Sequence, residues 1–371
     1  MTRSVTRWAW VEVSASAIEH NVRELAAISA PAGVWAVVKA NGYGHGAVTA
    51  ARASLAGGAQ GLCVALVQEG VELRDDGIDA QILVLSEQPA ETAAAAIANG
   101  LTSTVYSADG VAAIAAAGGQ LHPVHMKIDT GMRRVGVAIN DAVALADVIA
   151  ASPAVKLAGV FTHLAVAEET DSDFTRVQLE RLDVALVSLT KAGYRPPLVH
   201  AANSAGAILH PAARRDFTRP GIAIYGLAPS PEIAHLCTSL RPALSLHARV
   251  AFVKRVRAGD GISYGLRHVF DRETTVATLP LGYADGVPRR FGAAGGEVLL
   301  GGVRRPVVGV VTMDQLMVDC GDAPVAVGDP AVLIGRQGNE EITVGDWAQR
   351  LGTINYEVVC GLTPRLERRP R

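Results

Sequence analysis

The chain is poor in the residues that would announce a metal centre, a disulfide scaffold or a nucleic-acid groove. It has four cysteines in 371 residues, Cys63, Cys237, Cys320 and Cys360, too dispersed for any CxxC or zinc spacing. They are expected as small buried hydrophobes in a reducing compartment, and no metal site is expected. Aromatics are only 5% of the residues, and 34 Lys and Arg against 36 Asp and Glu give a formal net charge of −2. No global field therefore attracts nucleic acid or an anionic membrane, which leaves small molecules as the expected partners. No uncharged run approaches the roughly 18 residues of a membrane helix, and Met1-Thr2-Arg3-Ser4 leads to Trp8-Ala9-Trp10 without an apolar leader core. A soluble, cytoplasmic protein is the expectation.

What is present is a short apolar run that stops on one lysine and breaks into glycines: Ala36-Val37-Val38-Lys39-Ala40-Asn41-Gly42-Tyr43-Gly44-His45-Gly46. Val34–Val38 has the β-branched density of a buried strand, so Lys39 falls at a strand's C-terminal end. That edge is where sites are built in parallel α/β architectures, and an amine among apolar neighbours loses proton affinity and becomes a usable base or nucleophile. A lysine snorkelling from a strand end fits this segment equally well.

Around this segment runs an alternation. Trp8–Val13 is a first isolated strand, and Ser16-Ala17-Ile18-Glu19 opens a helix to about Ile28. Further apolar segments follow at Gly61–Leu66, Gln81–Leu85, Thr102–Tyr106, Val124–Asp129, Leu157–His163, Leu198–Ala201 and Ile222–Tyr225, with helix-compatible stretches between several of them. With Val34–Val38 this makes about eight β-then-α units over roughly 200 residues, as in a (β/α)8 TIM barrel. An open doubly wound sheet would also alternate, but no GxGxxG follows the first strand. Beyond about Pro231 the pattern turns to short β-rich runs separated by Gly, Pro and Asp, with Val344–Leu351 the one helical stretch. The expected organisation is an α/β barrel domain over residues 1–234 and a C-terminal mainly-β domain over 235–371, linked near Pro229-Ser230-Pro231. The first strand is a candidate for packing with the second domain, and the basic tail from Arg365 is expected to fray.

Several unusual residues fall at the C-terminal ends of the proposed strands: Lys127 with Arg133 and Arg134, His163, His200 with Asn203 and Ser204, and Arg219 before Gly221 and Ile222. Each alone has an ordinary structural role, but side chains at that rim converge on one mouth. Hydroxyl, amide and backbone N–H groups near the seventh and eighth strands suit a phosphate, and Lys39 across the barrel suits an aldehyde. The pair points to pyridoxal phosphate, with a Schiff-base aldolase as the competing assignment. In the second domain Ile262-Ser263-Tyr264-Gly265 and Gly282-Tyr283-Ala284-Asp285 each place a tyrosine in a turn.

These segments resemble, in order over almost the whole chain, the alanine racemase family. The likeness runs through Ala36–Gly46, Lys127–Gly136, Phe161-Thr162-His163, Asn203-Ser204, Arg219–Gly226, Ile262–Gly265, Leu281–Gly286, Thr312-Met313-Asp314-Gln315 and Asn355-Tyr356-Glu357. The resemblance implies a TIM barrel with a β domain, working as a head-to-tail homodimer that interconverts L- and D-alanine with pyridoxal 5'-phosphate and supplies D-alanine for peptidoglycan. It implies Lys39 as cofactor anchor and one base, and Tyr264 from the partner subunit as the other. It implies Tyr43, Asn203, Ser204, Gly221, Ile222 and Tyr356 at the phosphate and Arg219 at the pyridine nitrogen. His163, with an arginine, is the expected source of positive charge beside the Tyr264 phenol. Arg134 and the Met313 backbone match groups near the substrate carboxylate, Asp314 a supporting position, Tyr283 the pocket entrance, and Lys127 a lysine that many members carbamylate. Thr312 stands where a cysteine is frequent, and the closing aromatic after Arg365 is missing. A broad-specificity racemase, an amino-acid decarboxylase and a pyridoxal-binding regulator remain as alternatives.

Overall fold

The computed structural model describes residues 7–119 and 121–371, so the Met1–Ser4 segment lies outside it. Two compact units divide the chain: Ser16–Arg241, and the N-terminal segment ending at Ala15 together with Pro242–Arg371. The division falls at 241/242 rather than 234/235. Asn21 is the reason, since its side chain accepts from Arg241 N–H at 2.7 Å and donates to Arg241 O at 2.9 Å, keeping residues 235–241 with the first unit.

After β1 (Ala9–Val13), the first unit opens with α1 (Ala15–Ser29, of which Ala15 falls to the other unit) and β2 (Gly33–Val37). A single turn α2 (Lys39–Tyr43) and α3 (Ala47–Ala56) lead to β3 (Gly61–Val64), α4 (Val67–Asp75), β4 (Gln81–Val84), α5 (Ala93–Ala98), β5 (Ser103–Val105), α6 (Ala108–Ala117) and β6 (His122–Asp129). A two-residue β7 (Val137–Ala138), α7 (Ala142–Ala151), β8 (Val155–Phe161), α8 (Phe174–Lys191), β9 (Val199–His200), α9 (Ser204–Leu209) and β10 (Phe217–Thr218) complete it. β10-β2-β3-β4 and β5-β6-β8-β9 are two parallel runs. A parallel bridge from Leu83 to Thr102 joins β4 to β5, and Asp216 N–H donates to Val199 O at 3.1 Å across β9 and β10, which closes the ring of eight. The helices bury apolar faces such as Val111 and Ile114, Leu145 and Ile149, and Leu182 and Leu189 against its outside. Inside, rings fill the barrel: Trp35 stacks on Phe217 at 4.5 Å, Phe217 on His200 at 4.2 Å, and His200 on Phe161 at 4.6 Å. Stacked pairs of this kind add about 0.5–1.5 kcal/mol each beyond the area they bury.

The eighth strand is Phe217–Thr218, not Ile222–Tyr225, which is a 3-10 turn with all four residues buried. A fully buried apolar run carries no periodicity that would separate strand from turn. Helix α4 also escaped the pattern, because Glu69, Glu72, Arg74 and Asp75 leave it few apolar positions.

In the second unit the strands are β11 (Leu244–Arg249), β12 (Phe252–Val256), β13 (Gly261–Ile262), β14 (His268–Val269), β15 (Thr274–Leu279), β16 (Glu297–Leu300), β17 (Val303–Val308), β18 (Leu316–Gly321), β19 (Pro330–Gln337), β20 (Glu340–Ile342) and β21 (Glu367–Pro370). They are accompanied by α10 (Val344–Leu351) and a second helix that the sequence pattern did not show, α11 (Asn355–Cys360). One sheet runs β12-β15-β18-β17-β16-β19-β11-β1-β21. β1 alternates as a half-buried strand should, with Ala9, Val11 and Val13 inward. It pairs antiparallel with β11 (Val11 opposite Leu246) and parallel with β21 (Trp10 opposite Glu367). The basic tail is therefore a strand and not a frayed end: backbone pairing with β1 and the Arg369 guanidinium 4.6 Å from the Trp10 ring centroid hold it. No helix among the described residues is long and apolar enough to cross a membrane.

Candidate active site

β2 delivers Lys39 to the barrel rim and the chain then turns with the wrong hand. Ala40, Asn41 and Gly42 have φ of 52°, 53° and 61°, and Tyr43 has 51°. Left-handed backbone costs about 1–2 kcal/mol at each residue with a Cβ, so the turn needs outside support. Part of it is local: the Asn41 side-chain oxygen accepts from Ala47 N–H at 2.8 Å, at the start of α3. Lys39 is half-buried, and Tyr43 is drawn inward, its ring 5.1 Å from that of Tyr225.

Arg219, one residue beyond β10, is 3% exposed. Its Nη1 donates to His200 Nδ1 at 2.5 Å, and its Nη2 donates to Thr162 O at 2.8 Å and Ala201 O at 3.1 Å. The guanidinium lies 5.2 Å from the centroid of the Phe161 ring, and the Lys127 amine 5.4 Å from the same centroid. Burial lowers Arg219 to about 10, so it keeps its charge at neutral pH. Lys127, on β6, falls to about 8, first by burial and then through Arg134, Arg219 and Lys39, with Asp129 opposing. Four cations thus crowd one region. Cys63 beneath them stays a thiol, because burial pushes it up to about 12 against the pull of Arg219 and Lys39.

His163 follows β8 at the same rim. Burial, then Arg219, Lys127, Arg134 and Lys39, hold it well below the ordinary imidazole value. It is neutral there, so it carries none of the positive charge expected of it. Asn203 caps α9 through its side-chain oxygen, which accepts from Gly206 N–H at 2.8 Å. Ser204 Oγ accepts from Gly221 N–H at 2.9 Å and Ala223 N–H at 3.4 Å, binding the α9 start to the turn that holds Ile222. A methyl group built on Gly221 would lie 2.5 Å from Tyr43 Oη, so a side chain there would have to displace the Tyr43 hydroxyl.

This chemistry fits pyridoxal phosphate: a rim amine, a glycine cradle flanked by hydroxyls for the phosphate, and cations for anionic groups. The remaining expected residues belong to the other unit. Tyr264 opens a 3-10 turn between β13 and β14 and is 70% exposed. It borders a cleft of about 690 Å³ together with Phe252, Lys254, Ser263 and Thr312. Tyr283 and Met313 lie on adjoining turns tied by Tyr283 N–H to Thr312 O (3.0 Å) and Ala284 N–H to Met313 O (3.1 Å). Asp314 accepts from Arg365 Nη2 at 2.7 Å, and Tyr356 is half-buried on α11.

His125 is the side chain that sequence reasoning passed over. Its Nδ1 lies 2.8 Å from His200 Nε2, which places it next but one to Arg219. The signal was its spacing, two residues before Lys127 on one strand and hence on the same face.

Comparison with known proteins agrees with this geometry. Residues 13–229 match the family model for the alanine racemase N-terminal domain and residues 243–370 that for the C-terminal domain. The alanine racemase of Symbiobacterium thermophilum is 48% identical, over 97% of this chain and 96% of its own, and that of Thermobifida fusca is 44% identical over 98% of each. Among solved structures, alanine racemase from Bacillus anthracis with bound L-Ala-P superposes with a TM-score of 0.94 at 38% identity, covering 99% of this chain and 95% of that one. Alanine racemase from E. faecalis gives 0.93 at 36% over the whole of both chains. The chain belongs to the alanine racemase family.

Proposed function

We propose that the chain interconverts L- and D-alanine as a pyridoxal-phosphate enzyme, with Lys39 and Tyr264 as its two proton-transfer groups. Inverting Cα requires removing a proton from one face and returning one to the other, so two groups are needed. When bound, pyridoxal phosphate supplies an electron sink that acidifies the α-proton of the amino acid. Lys39 holds the cofactor and moves the proton on one face. Tyr264 Oη serves the opposite face from a second copy of the chain in a head-to-tail homodimer. Its 70% exposure beside exposed Leu266, Val269 and Phe252 supports that arrangement.

Tyr43, Asn203, Ser204, Gly221, Ile222 and Tyr356 hold the phosphate. Arg219 keeps the pyridine nitrogen unprotonated: a guanidinium has five N–H donors and no acceptor, and three are already committed to His200, Thr162 and Ala201. A weaker electron sink shortens the life of the charged species and favours racemisation over transamination. Arg134 and the Met313 backbone bind the substrate carboxylate, with Asp314 supporting and Tyr283 at the entrance. A cytoplasmic enzyme supplying D-alanine for peptidoglycan accompanies this assignment.

The observation that carries it is the convergence of Lys39, Lys127, Arg134 and Arg219: burial first, and then the other three cations, lower the Lys127 amine to about 8, and the cluster demands anions. The test is incubation of cofactor-loaded protein with L-alanine, read by chiral chromatography and by α-proton exchange in D₂O. Racemisation is expected, with loss of cofactor absorbance in Lys39→Ala. Protein that binds no pyridoxal phosphate and exchanges no α-proton would overturn the assignment.

A further inference from the structure

We propose that Glu69 is a positioning residue for Lys39, its carboxylate gripping the turn that the lysine begins; the inference rests on Lys39 being the cofactor lysine. Glu69 lies in the first turn of α4, on the loop side of β3, and not on β2 or its turn. Glu69 Oε1 accepts from Ala40 N–H at 2.6 Å, while Oε2 accepts from Ala65 N–H at 2.7 Å and Leu66 N–H at 3.1 Å. One carboxylate thus bridges the loops that follow two neighbouring barrel strands.

Capping of α4 accounts for the bond to Leu66 N–H, since Glu69 occupies the third helical position. It does not account for Ala40. The Ala40 N–H shares a peptide plane with the Lys39 carbonyl, so fixing that N–H fixes the rotation about the Lys39 Cα–C bond and the direction in which its side chain leaves. Three left-handed residues with side chains follow, at Ala40, Asn41 and Tyr43, and such backbone persists only where surroundings over-determine it. Asn41 ties the turn forward to α3; Glu69 ties it sideways, through an ionised acceptor that strengthens the bond.

The anchor is itself braced. Gln88 Oε1 accepts from Val67 N–H at 3.3 Å, and its Nε2 donates to Ala65 O at 3.1 Å, so the loop Glu69 holds is pinned to the loop after β4. Lys39 is therefore positioned by a chain of side-chain bridges running around three consecutive loops of the rim.

The experiment compares wild type, Glu69→Gln and Glu69→Asp, reconstituted with pyridoxal phosphate. Three readouts are taken: thermal midpoint, kcat and KM for L-alanine, and the fraction of Lys39 peptide carrying cofactor after borohydride reduction at limiting pyridoxal phosphate. Misplacement of a reacting group costs kcat more than ground-state binding, so kcat is expected to fall about ten- to hundredfold with KM changed by less than about threefold. Labelling of Lys39 is expected to fall with it. Glu69→Asp keeps charge on α4 but is one methylene too short to span both loops, so it is expected to recover the thermal midpoint without recovering kcat. Variants that lose thermal stability yet keep wild-type kcat and labelling would reduce Glu69 to a helix cap and overturn the inference. Wild-type protein without label at Lys39 would instead overturn the cofactor-lysine assignment on which it rests.

Discussion

His200 stands between Arg219, which donates to its Nδ1 at 2.5 Å, and His125, whose Nδ1 is 2.8 Å from its Nε2. A guanidinium only donates, so His200 Nδ1 accepts and its Nε2–H must donate to His125. Both rings are therefore neutral, and the tautomer of each is dictated by the cation at the end of the row.

That row makes the barrel acid-labile. Burial, then Arg219, hold His125 at about 3 against an ordinary 6.5, and His200 is also well below 6.5. Between those values the unfolded chain binds protons that the folded chain refuses, so stability falls as pH drops below about 6.5 and the loss for His125 is complete near 3. Each such histidine contributes a slope of about 1.4 kcal/mol per pH unit in that window. Urea denaturation at pH 7 and pH 5 should show the loss, and His125→Gln should flatten it; equal slopes in the two proteins would refute the coupling.

Gly221→Ala should separate phosphate binding from folding. The new methyl would meet Tyr43 Oη at 2.5 Å, and the hydroxyl must move out of the cradle. Pyridoxal-phosphate affinity, measured by fluorescence quenching, is expected to weaken at least about tenfold, or about 1.4 kcal/mol. Unchanged affinity would remove the turn from the phosphate site.

At Lys127 an amine near 8, among Arg134, Arg219 and Lys39 with Asp129 only partly opposing them, is partly neutral at physiological pH. Its nitrogen can attack carbon dioxide and release a proton, leaving a carbamate that turns the cation into an anion. Protein in ¹³C-bicarbonate at pH 8 should show one carbamate resonance that Lys127→Ala lacks. Without bicarbonate the direction is the same as for the histidines and the window lies higher: the folded amine sits near 8 and the unfolded one near 10.5, so stability should rise with pH between those values. A carbamate signal that persists in Lys127→Ala would place the modification elsewhere.

Tyr264→Phe should make proton exchange one-sided. With one group per face, loss of the phenol leaves α-proton exchange in D₂O from one enantiomer of alanine and removes it from the other, while overall racemisation falls at least about a hundredfold. Equal exchange from both enantiomers would show that a single group serves both faces.

Lys39 at a strand end was legible because an apolar run and a string of glycines are local signals, and Val344–Leu351 was legible residue for residue as the one helical stretch of its half. Phe217–Thr218 was not, because two residues are too few to carry a period. Glu367–Pro370 becomes a strand only through β1, at the far end of the chain, and its composition of Glu, Arg and Pro argues against one. The site residues could be gathered by resemblance, but their charge states could not. His163 is neutral because it is buried and, after that, because four cations act on it, a property of the fold that no stretch of sequence contains. His125 and Glu69 were hidden differently, since each acts through a neighbour's backbone or ring rather than through a recognisable motif.

The position of β1 between β11 and β21 has a consequence for synthesis. The whole of Ser16–Arg241 leaves the ribosome ahead of β11, so the barrel can close while translation continues. The strand β1 must meanwhile wait, unpaired, for β11 and then, open on its other side, for β21, and a nascent chain that stalls late would carry a finished barrel and an open, adhesive sheet edge.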